Sequence, residues 1–449
     1  MPQAALRELL ALGNLTGEAD FAGADPVLRT PYRVGTAGAA ALGAVGLAAS
    51  ELWFLRSGRR QQMSVDLRAA SAALKSGAYL RIDGKPPPTP WDPMSGFYPV
   101  RDSRWVSIHC NFANHRAAAL KVLGTGEDRA KASEASSQWH GVDLEDAIHA
   151  AGGCAGLARR SEEWAAHPHA AAVATQPLLE ILRIGDAPPQ PLPDGSRPLA
   201  GVRVLDLTRV LAGPTCARTL AEHGADVLKI TAPHLPDSGA IEFDTGLGKL
   251  AAFLDLRSTE GTATLRKLLQ GADVFSQSYR PGALAARGFS PEEVARLRPG
   301  IVCASLNAWG QTGPWKDRRG FDSIVQTVSG MALAQGDGAT PKLLPCSAID
   351  YVSGYLMAYG VMLALARRAR EGGSWLVRVA LARAGKWIVD RGTVDPAAPL
   401  ASIPEGLTTE TDSPAGRITH LKPVLQMSET PPRWERPPVP LGHHRPQWP

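Results

Sequence analysis

The chain has 449 residues, 44% of them hydrophobic and 20% charged, with a formal net charge of +5. Such length and balance allow two or three domains with a sizeable core and exclude a disordered chain. The basic residues are dispersed, so no nucleic-acid surface is expected, and a mild positive balance suits an anionic small molecule instead.

The first residues, "MPQAALRELLALG", have no basic flank and no long apolar core, so no signal peptide is expected. Residues 34–55, "VGTAGAAALGAVGLAASELWFL", are mostly Ala and Gly and predict a closely packed helix, not a membrane span. "GFYPVRDSRWVSIHCNF" (96–112) predicts two strands around a turn, and residues 113–182 predict several helices. Residues 91–185 are therefore expected to form a small α+β domain. "DAPPQPLPDGSRP" (186–198) reads as a proline-rich linker. Short apolar runs then alternate with helical patterns: "VRVLDL" (202–207), "ADVLKI" (225–230), "DVFSQS" (273–278) and "IVCASL" (301–306) are strands buried on both faces. Ser290, Pro291 and Glu293 form a capping box before one of the helices. Residues 199–392 are expected to be an α/β domain, a doubly wound, mostly parallel, Rossmann-like sheet. "SIVQTVSGMAL" predicts a helix, Asp350 precedes another over 351–370, and "WLVRVAL" (375–381) is a further strand. Residues 393–449, rich in Pro, are expected to be an extended tail over the surface.

Five cysteines, at 110, 154, 216, 303 and 346, form no C-x-x-C pair, which argues for a reducing compartment and against disulfides or zinc. A cytoplasmic protein is expected, with no metal and no membrane partner. The chain also repeats itself. Residues 50–67 align with 364–381, each an Ala-rich helix, a basic turn with Gly and a strand ending in Leu, and the preceding helices align without a gap. Residues 1–90 are thus expected to pack on, or repeat, part of the large domain. In that alignment Thr36 faces Asp350.

The simpler reading of Asp350 is a helix N-cap, its carboxylate accepting from the first backbone N–H groups. The chemical reading is a nucleophile or base at the mouth of the sheet, which the same helix end would hold ionised. The loop "TRVLAGP" (208–214), between a strand and a helix, is where phosphates bind in doubly wound sheets. It lacks G-x-G-x-x-G, so a dinucleotide is not expected. Lys249, Arg280 and Lys316 read as loop cations, either phosphate ligands or solvated side chains.

Seven blocks, in order, resemble the family III CoA-transferases, the CaiB/BaiF group: "PLAGVRVLDLTRVLAGP" (198–214), "GADVLKI" (224–230), "LDLRSTEG" (254–261), "ADVFSQSYRPGALAARGFS" (272–290), "LRPGIVCASLNAWGQTGPW" (297–315), "GFDSIVQTVSGMA" (320–332) and "AIDYVSG" (348–354). The region with "RDSRWVSIHCNF" and "EEWAAHPH" resembles the small domain that normally follows the sheet domain in this family. Here it comes first, so the order resembles a permuted or fused, partly duplicated form. The resemblance implies that Asp350 is the nucleophile, attacking an acyl-CoA thioester and passing CoA to an acceptor carboxylate through aspartyl anhydride and aspartyl-CoA thioester intermediates. It implies coenzyme A as a substrate, with no cofactor bound permanently, and an interlocked homodimer. It places Arg209, Val210, Leu211 and Ala212 along the CoA site, and Leu254, Tyr279, Ala283, Arg287 and Arg319 in or beside other CoA-contacting segments.

Departures from the family pattern bear on the substrate. Leu211 stands where formyl-CoA transferases carry a polar residue, and "GKL" (248–250) keeps Lys249 but loses an Arg. Two other readings stay open. A racemase of this family needs a His in the word after "GPW", and Phe321 stands there. A non-catalytic CoA-binding or partner subunit would need Asp350 only as a cap.

Overall fold

The apolar runs after residue 198 build six strands of one seven-stranded sheet, residues 180–185 adding the seventh; the computed structural model describes residues 1–89, 91–395 and 397–449. Its strands are β1 (Glu180–Gly185), β2 (Arg203–Leu207), β3 (Asp226–Thr231), β4 (Lys249–Phe253), β5 (Val274–Gln277), β6 (Val302–Asn307) and β7 (Ser374–Ala380). The order across the sheet is β4-β3-β2-β5-β6-β7-β1. All pairs are parallel except β7–β1. This is the doubly wound α/β sheet expected from strand–helix alternation. The antiparallel edge strand is a departure: residues 180–185 read as the end of a helix. Pro177 interrupts that helix, and residues 180–183 pair with Trp375–Arg378 instead, β-branched Ile181 opposite Val377.

Five helices shape the centre of the molecule: α1 (Val34–Ser57), α2 (Ala212–Glu222), α3 (Asp322–Val328), α4 (Ala348–Glu371) and α5 (Leu381–Val389). α1 and α4 are both long and apolar enough to cross a membrane, yet they are 89% and 100% buried inside the protein over their most apolar stretch. They pack on one another, and α4 also packs on α2. Ala and Gly on these helices allow close approach. At Gly354 a Cβ would stand 2.6 Å from the Ala212 carbonyl oxygen and 2.7 Å from Thr215 Cβ. The helix expected over 351–370 begins earlier, at Ala348, so Asp350 lies inside its first turn and Ser347 occupies the N-cap position.

A small antiparallel sheet, Gly96–Pro99, Trp105–Ile108 and Ala155–Leu157, carries its own core with the helices Ala113–Leu123, Arg129–Ser136 and Gly141–Ala150. It meets the large sheet where Gly156 faces Val328 and Ile324 of α3. The C-terminal residues include a hairpin, Thr408–Ser413 with Gly416–Leu421, that sequence periodicity did not foretell, and this hairpin pairs with Arg81–Ile82. Further on, the tail follows the β4 edge, where His444 bridges to Ala252.

Lys249 is not a loop cation. It opens β4 and is fully buried, its Nζ 2.8 Å from the equally buried Asp206 carboxylate and 2.9 Å from the Pro214 carbonyl oxygen. The Gly246–Gly248 turn ends just before it, and the strand begins at Lys249 itself. Losing one member of a buried pair strands the other charge. Lys249→Met should therefore lower unfolding stability by about 3–5 kcal/mol in a denaturant titration. Gly354→Ala overpacks the α2–α4 contact and should cost about 1–3 kcal/mol in the same assay.

Candidate active site

The sheet order changes direction between β2 and β5: from β2 the chain winds outward through β3 to β4, then returns to β5 and winds the other way. Ligands of open α/β sheets bind at such a switch point, beyond the carboxyl ends of the strands. The loops after β2 and β5 are tied together there, the Arg209 N–H donating to Ser278 Oγ at 3.1 Å. Val210 comes next with φ +70°, a left-handed conformation that is costly for a β-branched residue. Such strain marks a loop held in place by its surroundings.

α4 presents Asp350 to this loop. Gly354, one turn on, lets α4 sit directly against the Ala212 carbonyl, which explains the D-x-x-x-G spacing physically. The orphan N–H groups of α4 are satisfied by a different acid. Asp322, the first residue of α3 and buried, accepts from the Asp350 N–H at 3.0 Å and from the Ile349 N–H. Gln326 also donates to Asp322, and its own amide oxygen accepts from the Leu344 N–H at 2.8 Å. Asp350 is thus not the cap of its helix. Its carboxylate accepts no hydrogen bond among the described residues and faces a cavity of about 710 Å³.

Three parts of the chain wall that cavity. Val210, Leu211, Ile241, Phe321 and Asp322 come from the sheet domain; His109, Asn111 and Phe112 come from the small domain; Lys75, Gly77 and Leu80 come from the N-terminal segment. Phe321 stacks face to face on His109, ring centres 3.8 Å apart and planes 7° apart. Burial and the neighbouring His115 hold His109 neutral, its pKa lowered to about 3. Burial and the Asp322 charge raise the Asp350 carboxyl well above its ordinary range. Burial raises Asp322 to about 6 against the hydrogen bonds that favour its ionised form. Of the two acids, Asp322 holds the donors and Asp350 has none, so the shared proton belongs on Asp350.

Val210 and Leu211, from the predicted CoA loop, line the cavity with Asp350, and Ala212 is buried behind them at the start of α2. Arg209 turns outward, its guanidinium donating to the Pro236 carbonyl and lying 5.4 Å from the Phe112 ring centre. Leu254 and Tyr279 come just after the carboxyl ends of β4 and β5, outside the cavity. Ala283 and the exposed Arg287 lie beyond Tyr279, and Arg287 is tied to the Leu256 carbonyl at 2.8 Å. Arg319 stands on the small-domain side, near Gly152. Burial, and then the charges of Arg319, Arg209 and Arg280, lower His115 to about 4. None of these three arginines has an ion-pair partner among the described residues, so they form a cationic patch between the two domains. Asp322, His109 and Lys75 were not singled out from sequence. Asp322 sits in the block "GFDS", but nothing in linear spacing ties it to a helix beginning 26 residues later.

Residues 199–399 match the profile of the family described as CoA-transferase family III. Acetyl-coenzyme A transferase nodX of Hypoxylon pulicicidum is 38% identical over 44% of this chain and 35% of its own length. The succinyl-CoA–L-malate CoA-transferase beta subunit of Chloroflexus aurantiacus is 33% identical over 41% of this chain and 49% of its own. Succinate–glutarate CoA-transferase of Agrobacterium fabrum is 32% identical over 42% and 52%. The chain therefore spans about a third to a half of the length of these curated relatives. Among solved structures, Rv3272 from Mycobacterium tuberculosis aligns with 44% of this chain and 59% of its own at 29% identity, with a TM-score of 0.41. The seven sequence blocks lie within or at the edge of residues 199–399, the part of the chain that is similar to CoA-transferase family III.

Proposed function

We propose that this protein is a CoA-transferase that moves CoA from an acyl-CoA thioester to an acceptor carboxylate through Asp350. The observation that carries this reading is the free Asp350 carboxylate, relieved of capping by Asp322 and facing a large, mostly apolar cavity. A residue needed only as a cap would have its oxygens on the helix N–H groups.

The steps balance without any net change in protons or electrons. An Asp350 oxygen attacks the thioester carbonyl carbon, the C–S bond breaks, and a mixed anhydride and CoA thiolate form. The thiolate attacks the Asp350 carbonyl, the anhydride C–O bond breaks, and the donor acid leaves as its carboxylate. The acceptor carboxylate then attacks the aspartyl-CoA thioester and repeats the sequence in reverse, restoring the Asp350 carboxylate. Anhydrides hydrolyse, so water must be kept out. Phe112, Phe321, Leu211 and Ile241 wall the cavity with apolar surface. Outside it, Arg209, Arg280 and Arg319 offer unpaired cations to the phosphates of CoA. Relatives named for succinate, malate and glutarate support a small dicarboxylic acid as one substrate. In this reading one chain supplies every wall of its own site, with the small domain as its cover.

Two outcomes test the reading. The protein is incubated with acetyl-, succinyl- or octanoyl-CoA, treated with hydroxylamine and digested. A hydroxamate is expected on Asp350, absent from Asp350→Asn, whose transferase rate should fall about 10³-fold or more. CoA binding by calorimetry with no adduct from any donor would leave a non-catalytic CoA-binding subunit. The second outcome concerns pH. Asp350 must be ionised to attack and its pKa is raised, so kcat/KM should fall on the acid side at a pH above the ordinary carboxylate range. Asp322→Asn removes the repelling charge and should move that limb to lower pH.

A further inference from the structure

The repeat noted in the sequence extends to the fold. α1 and α4 are each 24 residues long and start 314 positions apart. The strands after them, Met63–Asp66 and β7, end 314 positions apart, and the next helices, Leu67–Ala73 and α5, start 314 positions apart. Each strand pairs in parallel with an earlier one, Asp20–Ala22 in one unit and β6 in the other. The capping device repeats too. Asp25 accepts from the Gly35 N–H at 3.0 Å and the Thr36 N–H at 2.8 Å, as Asp322 does from Ile349 and Asp350. The units exchange contacts at their helix starts. Ser347 N–H donates to the Leu74 carbonyl at 3.2 Å, and Val394 N–H to the Pro31 carbonyl at 2.8 Å.

The end of the N-terminal unit is what reaches the Asp350 cavity. Ser76 is locked there, its Oγ 2.7 Å from Asp244 Oδ2, 2.9 Å from Tyr351 Oη and 3.1 Å from Arg218 Nη1. With Leu74 held by Ser347, Lys75 is fixed between two anchored neighbours. Lys75 lines the cavity, is half-buried and has no ion-pair partner among the described residues. Burial raises the Cys346 thiol in the same wall, and the positive charge of Lys75 draws it back downward. The other nitrogen base in the lining, His109, is neutral. Lys75 is therefore, among the described lining residues, the cation of a cavity that otherwise offers acids, neutral polar groups and apolar surface. At the positions 314 away, the N-terminal unit has Thr36 for Asp350, and the second unit has Val389 for Lys75. The N-terminal unit thus brings the cavity a cation that the second unit lacks, and the second unit brings Asp350, which the first lacks.

We infer that residues 20–75 are a truncated, inactive copy of the unit 302–389, retained because it delivers Lys75 in cis to the Asp350 site. There Lys75 binds the far carboxylate of a dicarboxylic acceptor, while the near carboxylate meets the aspartyl-CoA thioester. The apolar wall from Leu80, Ile241, Leu343 and Leu344 takes the methylenes between the two. This rests on the transferase reading and adds the acid's class and the residue that selects it.

The test compares KM for succinate and glutarate with KM for butyrate and valerate. The donor is whichever acyl-CoA gives the wild-type Asp350 hydroxamate. In Lys75→Met the KM for the two dicarboxylates should rise about 10-fold or more while that for the monocarboxylates changes less than about 3-fold, and Lys75→Arg should restore most of the difference. An unchanged dicarboxylate-to-monocarboxylate ratio in Lys75→Met, with the wild-type adduct present, would overturn the role of Lys75 and leave the transferase standing. No wild-type adduct from any donor would overturn the transferase reading and this one with it.

Discussion

One carboxylate makes the site what it is, and it is not that of Asp350. Every α-helix begins with backbone N–H groups that lack partners inside the helix. α4 starts in the middle of the fold, beside a cavity, where water cannot serve all of them. The simplest solution in sequence would be a capping acid on α4 itself. Here Asp322 does that work from α3, with Gln326 bracing it, and the acid on α4 keeps its oxygens free. Two carboxylates then share one small volume with different duties, one bound to donors and one bare. That contrast separates their protonation, because hydrogen bonds favour the charged form of the first and burial disfavours the charged form of the second.

The close α2–α4 contact serves the same end. A glycine at 354 removes the side chain that would hold the two elements apart. The Asp350 carboxylate therefore shares its cavity with the strained turn at Val210. The buried Lys249–Asp206 pair stiffens the floor beneath, since Asp206 also receives the Thr208 N–H at 3.0 Å at the root of that turn. Charges around this site thus fall into two kinds. Those beneath the sheet's carboxyl edge are paired and rigid, while the arginines at 209, 280 and 319 and the lysine at 75 have no acidic partner among the described residues.

Much of this was legible in one dimension. Strands buried on both faces read as continuous apolar runs, so β2, β3, β5 and β6 could be placed within a residue or two. Asp350 stood out because seven blocks fixed its context. What escaped had a common cause. β1 is an edge strand whose partner, β7, lies far along the chain, and its own composition suits a helix equally well. Lys249 was hidden by the glycines before it. The polar hairpin at 408–421 has no apolar alternation to announce it, since its pairing gains come from backbone bonds and from Ile418, Leu421 and their neighbours. The cap by Asp322 and the approach of Lys75 are facts of tertiary contact. The repeat was visible as similarity between Ala-rich helices, but its meaning came from two aspartates, Asp25 and Asp322, whose equivalence only the hydrogen bonds reveal.

The pairing of α1 with α4 has a consequence for how the chain is made. α1 is buried along almost its whole length, and the element it packs on most is a helix 314 positions further on. A ribosome adding about 5–20 residues per second completes α4 on the order of tens of seconds after α1 has emerged. Throughout that interval an Ala- and Gly-rich apolar helix waits without its mate. The small domain, with its own core, can close on itself meanwhile, and α1 can pack on its neighbours within residues 2–73, but its α4-facing side stays uncovered. The nascent protein is therefore held open by its own architecture until late in synthesis, and α1 is the segment that molecular chaperones would have most reason to cover.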